Sequence, residues 1–559
     1  MTTADARKRA VTELARLWGS SVVAAEYAGH VGLVFEPRPR SLRDVLVGAD
    51  RWAQRTYLVQ GERRISFGEF VAALPRAGEI ITGRGVQPGD HVLLLGYNSP
   101  DWVLALWACW QAGATPVLGN RWWSEAELAN SLELTRPALV ITDLPDPAPC
   151  GMSGALAIAD FAAAYEAGSV GDADAVMDGF ATREEDDPAL VIFTSGSSGA
   201  PKGVVLSQRA VIANQHNLLM RSRRLPAGLD PNGQQSVTLV CTPLFHVGGV
   251  TNVLTNLIVG GKMVLNEGKF DPAQILRLIE TEKVQSFGGV PTMAIRVLEH
   301  PSFEEHDLSS LRSWPLGGAP VSPALLERLA RQLPQLKRRG LGNTWGMSES
   351  GGFVTGAGNK DLEQRPGTVG RPYPVAELRI LDPDGTGSGE VLVRSPTVML
   401  GYLGLDDETV DSEGWLHTGD LGHLDEDNYL YLDGRSKDVV IRGGENVATG
   451  HVEMAIARHP EVLEVAVFGI PHADLGEEVA AVVVAKERVT VTPEDLTTFL
   501  RGAVAYFAFP TRWSIRTDRL PTLAGEKIDK KTVKAEFLAT EAATGPEPER
   551  GTDEKGQRV

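Results

Sequence analysis

The chain has 559 residues, an apolar fraction typical of globular proteins and a formal net charge of -18. That length exceeds what one hydrophobic core serves, so several domains or subdomains are expected. The charge argues against nucleic acid or an anionic membrane surface as the main partner. Any phosphate chemistry must then draw on local cations and backbone N–H groups, because the overall field repels such a ligand.

Met1 to Ser21 is a charged helical pattern without an apolar h-region, so no secretory signal is expected. No run approaches the roughly 20 apolar residues of a spanning helix. The three cysteines, Cys109, Cys150 and Cys241, are odd in number and widely spaced, which fits neither a disulfide framework nor a zinc site. Reduced thiols in a cytoplasmic protein without a membrane span, a monomer or homodimer, are the expectation.

Along the chain, Val92–Leu95 reads as a strand, Asp101–Ala112 as a helix, Pro116–Leu118 as a strand, Ala126–Glu133 as a helix and Ala138–Ile141 as a strand. The rhythm resumes after Leu190, through Val237–Cys241 and Lys262–Leu265, and predicts an α/β architecture with parallel sheets. From about Ala376 the texture changes. Glu377–Leu381, Gly389–Arg394 and Tyr429–Leu432 are short strands between Asp/Gly/Pro turns, which predicts a small antiparallel sheet or barrel. After the charged turn Asp433–Asp438 the pattern is mixed, with strands at Val465–Ile470 and Val479–Val484 and a helix at Pro493–Leu500. A domain boundary is placed in that turn, and the polar tail from Glu541 is expected to be disordered.

The most informative stretch is the apolar run Ala189–Phe193 followed by Thr194-Ser195-Gly196-Ser197-Ser198-Gly199-Ala200-Pro201-Lys202-Gly203. Glycines allow close backbone approach, unpaired N–H groups and hydroxyls donate to phosphate oxygens, and Lys202 adds a point charge. Gly203 stands where a Walker loop needs Ser or Thr. On composition alone, a flexible surface loop explains the segment as well.

In full, the segment resembles the signature loop of the adenylate-forming superfamily, which comprises acyl-CoA synthetases, peptide-synthetase adenylation domains and beetle luciferases. Further segments resemble the family's other motifs in the family's order: Pro243–Gly249, Gly317-Gly318-Ala319-Pro320, Asn343-Thr344-Trp345-Gly346-Met347-Ser348-Glu349, Gly414–Asp420, Asp433–Asp438, Gly443-Gly444-Glu445-Asn446-Val447 and Pro521–Lys530. The closest likeness is to fatty-acyl-CoA ligases.

The resemblance implies a large N-terminal domain, residues 1–434, of two α/β subdomains plus a small β-barrel. A hinge at 435–438 and a mobile α+β C-terminal domain at 439–540 follow, then the tail at 541–559. It implies an ATP-dependent carboxylate–CoA ligase using Mg²⁺, in which an acyl-adenylate forms and then passes to a thiol. Thr194 to Gly199 with Lys202 would cradle the phosphates. Gly318, Ala319 and Pro320 would hold the adenine, with Asn343 to Ser348 beside it and Trp345 stacked on it. Glu349, with Thr194, would hold Mg²⁺. Asp420 would accept from the ribose, and Arg435 would touch ribose or phosphate. Lys437 would be the hinge residue, Gly443 and Gly444 would line the thiol tunnel, and Lys527 would be the catalytic lysine. His246, Val247, Gly248, Gly289, Gly317 and Gly342 would line the acyl pocket, with His246 gating thiol access.

Two departures from the family pattern stand out. Thr449 replaces a common proline after the tunnel segment, and Glu526 replaces the usual glycine beside Lys527. The apolar, glycine-rich walls favour a fatty acid. Alternatives are a small aromatic or alicyclic acid, a carrier-protein thiol instead of coenzyme A, a luciferase-like oxygenase, or a binding protein that retains the fold.

Overall fold

In the helix Pro100–Gln111 every residue is buried, as its nearly unbroken apolar sequence demands. Ser99 caps it by accepting the Trp102 N–H at 3.0 Å. The helix packs between the helix Phe67–Thr82 and the strands His91–Leu95 and Thr115–Gly119. Those strands belong to a seven-stranded sheet ordered Gly401–Tyr402, Lys202–Ser207, Pro188–Thr194, Thr115–Gly119, His91–Leu95, Leu139–Thr142, Leu156–Ala157. From Pro188–Thr194 onward the pairing is parallel. Lys202–Ser207 and Gly401–Tyr402 are added antiparallel at one edge.

This computed structural model describes residues 12–145, 154–166, 173–194, 201–337, 340–385, 387–443, 445–472, 474–487 and 489–544. Two compact units divide it, Met1–Ser436 and Lys437–Val559. The first unit holds a second α/β sheet with Ser286–Phe287, Val237–Val240, Lys262–Leu265 and Thr56–Gln60 in parallel and Arg63–Ser66 antiparallel at the edge. One buried knot ties the two sheets together. The Asn98 side chain accepts the Leu244 N–H at 2.8 Å and donates to the Thr242 carbonyl at 3.0 Å, while Gln60 donates to the Asn98 carbonyl at 2.7 Å.

A third sheet is ordered Trp314–Gly317, Leu341–Met347, Gly352–Gly358, Arg371–Pro372, with the first pair parallel and the rest antiparallel. The small β-structure expected after Ala376 is an antiparallel meander of Glu377–Leu381, Gly389–Arg394, Leu416–Leu424 and Leu430–Arg435. It joins the third sheet where Val369 and Gly370 pair with the Leu430 backbone at 2.9 and 3.0 Å.

The second unit is built on Glu445–Ala448, Val439–Arg442, Gly476–Ala485 and Val462–His472, with Arg512–Arg516 parallel to Gly476–Ala485. Alternation along Gly476–Ala485 feeds two cores. Val479, Ala481 and Val483 pack with Val452, Ile456, Leu496 and Leu500, and Ala480, Val482 and Val484 pack with Val533 and Phe537. The last helix runs Lys530–Thr544, so residues 541–544 complete it and are not part of a disordered tail. Glu541 pairs with Arg512, and Ala542 and Ala543 favour helix. Residues beyond 544, like Cys150, lie outside the described set. No described helix is long and apolar enough to cross a membrane.

Glu453 holds the second unit's two faces together. Its buried carboxylate accepts the Val467 N–H and the Lys530 ammonium, each at 2.7 Å. Burial raises its pKa, and Lys530 opposes that shift. Glu453→Ala leaves a buried N–H and an ammonium without their acceptor. We expect a loss of about 2 kcal/mol, read as a lower urea midpoint for the full chain. An unchanged midpoint would contradict this role.

Candidate active site

In the first unit, three of the motif segments follow the carboxyl ends of strands, where open α/β sheets place their ligands. Pro188–Thr194 runs into the glycine-rich loop, Val237–Val240 into the His246 segment, and Trp314–Gly317 into Gly318. Leu341–Met347 ends one residue before the Ser348–Gly351 turn that carries Glu349. Ser195, Gly196, Ser197, Ser198 and Gly199 lie outside the described residues. Their flanks are in place: Thr194 pairs in register with Lys202, which opens the returning strand.

Lys202 is partly exposed and lies 3.6 Å from the Asp407 carboxylate, with its ammonium 4.4 Å from the Tyr402 ring centroid. The Tyr402 hydroxyl donates to Glu349 Oε1 at 2.9 Å. Among the described residues, Glu349 Oε2 takes no hydrogen bond. Gly351 fixes the turn beneath Glu349. Its φ is +68°, and a Cβ there would lie 1.9 Å from the Thr397 carbonyl. The Met399 N–H binds the Glu349 carbonyl at 2.9 Å.

Trp345 is buried, and its indole N–H donates to Asp420 Oδ2 at 2.8 Å. Arg435 Nε donates to Asp420 Oδ1 at 2.8 Å. Asp420 is only 6% exposed, so this buried carboxylate is satisfied from both sides. Here Trp345 acts through its ring edge, holding the carboxylate expected to meet the ribose. Asn343 donates to the Thr368 carbonyl at 3.0 Å and Thr344 to the Leu316 carbonyl at 3.3 Å, so both brace the strand ends. Gly346 sits at a register shift, Met347 N–H donates to Ser350 Oγ at 2.9 Å, and the Ser348 carbonyl closes the turn onto the Gly351 N–H. Gly318, at φ +72°, turns the chain toward Ala319 and Pro320.

His246 is the N-cap residue of the helix Val247–Val259, with Val247 and Gly248 in its first turn. A run of ring contacts leads away from it: His246 to Phe245 at 4.6 Å, Phe245 to Trp122 at 5.7 Å, and Trp122 to Tyr97 at 5.5 Å. Gly317 and Gly342 lie on adjacent strands, and Gly289 follows the strand Ser286–Phe287. Gly289 bridges Leu316, the Gly317 N–H donates to the Gly289 carbonyl at 3.2 Å, and Gly342 pairs with Pro315.

In the second unit, Lys527 ends a tight turn in which the Leu523 N–H donates to its carbonyl at 2.7 Å and Thr522 bridges Ile528. Glu526 has φ +62°, the left-handed conformation that a glycine adopts without strain and another residue at about 1–2 kcal/mol. The usual glycine at this position thus has a backbone reason, and Glu526 departs from it. Gly443 also has a positive φ, +58°, at the end of Val439–Arg442, and Gly444 lies outside the described residues. Lys437 is the first residue of the second unit.

Comparison with known proteins decides the family. The model of the AMP-binding enzymes matches residues 47–403, and that of the AMP-binding enzyme C-terminal domain matches residues 451–527. This chain belongs to the AMP-binding, adenylate-forming enzymes. It resembles a feruloyl-CoA synthase of Amycolatopsis sp. at 32% identity over 86% of this chain and 96% of that protein. A long-chain-fatty-acid–CoA ligase of Bacillus subtilis is 28% identical over 92% of this chain and 97% of that protein. The structure of o-succinylbenzoate coenzyme A synthetase from Bacillus subtilis, in complex with ATP and magnesium ion, superposes with a TM-score of 0.72. It is 25% identical and covers 88% of this chain and 99% of that one. Within the AMP-binding family the chain falls among the AMP-forming acid–CoA ligases, which act through an adenylate.

Magnesium fits the donors present. A hydroxyl at Thr194 and the open oxygen of Glu349 are hard ligands, and the ion keeps several waters and phosphate oxygens besides. Sequence reading missed Tyr402, Asp407 and Asn98, whose partners lie far away along the chain. The only sequence signal was the Gly401-Tyr402 pair after an apolar run.

Asp420→Ala strands the Trp345 and Arg435 donors. We expect a loss of about 2 kcal/mol in denaturant unfolding with an unchanged m-value, partly recovered in Asp420→Asn. Equal stability of all three proteins would contradict the arrangement.

Proposed function

We propose that the chain activates a fatty acid with ATP and transfers the acyl group to coenzyme A. The observation that supports this best is the juxtaposition of Lys202 and Glu349 at Tyr402, together with the buried Asp420 carboxylate held by Trp345 and Arg435. A carboxylate oxygen attacks the α-phosphorus, the bond to the β-phosphate oxygen breaks, and pyrophosphate leaves. The obstacle is electrostatic, so positioning and fixed charge carry the catalysis. Glu349 and Thr194 would hold magnesium, which would supply neutralisation of phosphate charge. Lys202 binds the phosphate tail, Asp420 and Arg435 orient the ribose, and Lys527 offsets charge at the reacting phosphate.

In the second half the thiol sulfur attacks the acyl carbon, the carbon–oxygen bond to AMP breaks, and the thiol proton passes to solvent. His246 is assigned the gating of the thiol's approach. Lys437 is assigned as the pivot of the second unit, and Gly443 and Gly444 as the walls of the thiol path.

Gly289, Gly317 and Gly342 are assigned to an acyl pocket with apolar, glycine-rich walls, which suits an apolar acid. A second reading, an aromatic or alicyclic acid, is favoured by the ring series from His246 to Tyr97 and by the likeness to a feruloyl-CoA synthase. A carrier-protein thiol as acceptor is the other alternative.

A panel of fatty, aromatic and alicyclic acids, assayed for AMP release with coenzyme A or a phosphopantetheine carrier protein, separates these readings. Fatty acids with coenzyme A are expected to give the highest kcat/KM. A preference for ferulate-like acids, or for the carrier protein alone, would overturn the assignment. Lys527→Ala is expected to lose at least about 100-fold in adenylate formation, while thioester formation from supplied acyl-adenylate is spared. Unchanged ATP-dependent activity would remove Lys527 from the mechanism.

A further inference from the structure

Lys202 opens a strand of the seven-stranded sheet, Glu349 lies in the turn after a strand of the third sheet, and Tyr402 is where they meet. Strand register sets Tyr402 opposite Val204, so Lys202, two residues along, shares its face of the sheet. Backbone bonds on both sides of Tyr402 lock the pairing: Leu400 N–H donates to the Val205 carbonyl at 2.8 Å and Leu403 N–H to the Gly203 carbonyl at 2.7 Å. The phenol therefore cannot drift relative to Lys202. Its hydroxyl donates to one oxygen of Glu349, and its ring face lies under the ammonium.

Asp407 completes the group. At 3.6 Å from Lys202 Nζ it is an ion pair without hydrogen-bond geometry, and it is exposed. Such a pair is weak and yields to a more highly charged anion.

We propose that Tyr402 is a positioning residue that presents Glu349 to the metal and Lys202 to the phosphates, and that Asp407 is the counter-ion that the nucleotide displaces from Lys202. The proposal rests on the reading of Lys202 and Glu349 as phosphate and magnesium residues. Holding Oε1 fixes the rotation of the carboxylate and aims Oε2, which matters for an ion that demands near-ideal octahedral geometry. Asp407 keeps Lys202 out of other pairings until a phosphate replaces it.

The test is titration calorimetry on the full chain with MgATP and with ATP in EDTA, for wild type, Tyr402→Phe, Asp407→Asn, Lys202→Ala and Glu349→Gln. Tyr402→Phe keeps the ring and loses the hydroxyl. Its MgATP affinity should fall about tenfold while metal-free ATP binding is unchanged. An unchanged ratio of the two affinities, or an equal loss of both, overturns the role of Tyr402. Asp407→Asn should tighten metal-free ATP about two- to fivefold. Unchanged or weaker binding overturns the role of Asp407. If Lys202→Ala and Glu349→Gln both bind nucleotide like wild type, the underlying assignment fails instead.

Discussion

A carboxylate and a triphosphate repel each other, and a chain of net charge -18 repels both. The cations assigned to the first unit's site would work against that repulsion at short range. Cations are few and each is held: Lys202 between Asp407 and the Tyr402 ring, Arg435 against the buried Asp420. Their placement depends on strands: Lys202 opens Lys202–Ser207 and Arg435 ends Leu430–Arg435, so paired backbone anchors each. The antiparallel strands Lys202–Ser207 and Gly401–Tyr402, added to an otherwise parallel sheet, supply that rigidity. The Asn98 knot does the same for the acyl side, fixing the backbone of Thr242 and Leu244 just before His246.

Much of this was legible in the sequence. The alternation of apolar runs and amphipathic segments marked the parallel sheets, and Glu377–Leu381, Gly389–Arg394, Lys262–Leu265 and Pro493–Leu500 fall where the pattern set them. Such elements are specified locally, by period and by caps. The motif residues were legible because they cluster in short segments at strand ends. Tyr402 was not, because its meaning comes from a strand pairing to Val204 and from Glu349 in the turn after a strand of another sheet. Trp345 read as a stacking ring from its motif, whereas the indole N–H bond to Asp420 depends on a meander that the motif does not contain. Glu526 was visible as a departure, and the positive φ that explains the usual glycine is a property of the folded turn.

The acyl side shows the opposite limit. Gly289, Gly317 and Gly342 contribute no side chain, so the walls that select a substrate come from residues beyond the motifs. Relatives of similar identity carry names as different as a feruloyl-CoA synthase and a long-chain-fatty-acid–CoA ligase. In the proposed reading, specificity is set by packing around a common backbone frame, and the nucleotide side is set by named polar groups. In that reading the ring series from His246 through Phe245 and Trp122 to Tyr97 is a candidate wall.

The most direct test of adenylation follows oxygen. With a carboxylic acid labelled with ¹⁸O in both carboxylate oxygens, attack on the α-phosphorus carries one label into the bridging position. Cleavage by the thiol then leaves that atom on AMP. Mass spectrometry of the nucleotide product should find one ¹⁸O per AMP, formed in equal amount with the thioester and only when acid is present. Unlabelled AMP, or ADP with the label in inorganic phosphate, would contradict an acyl-adenylate route.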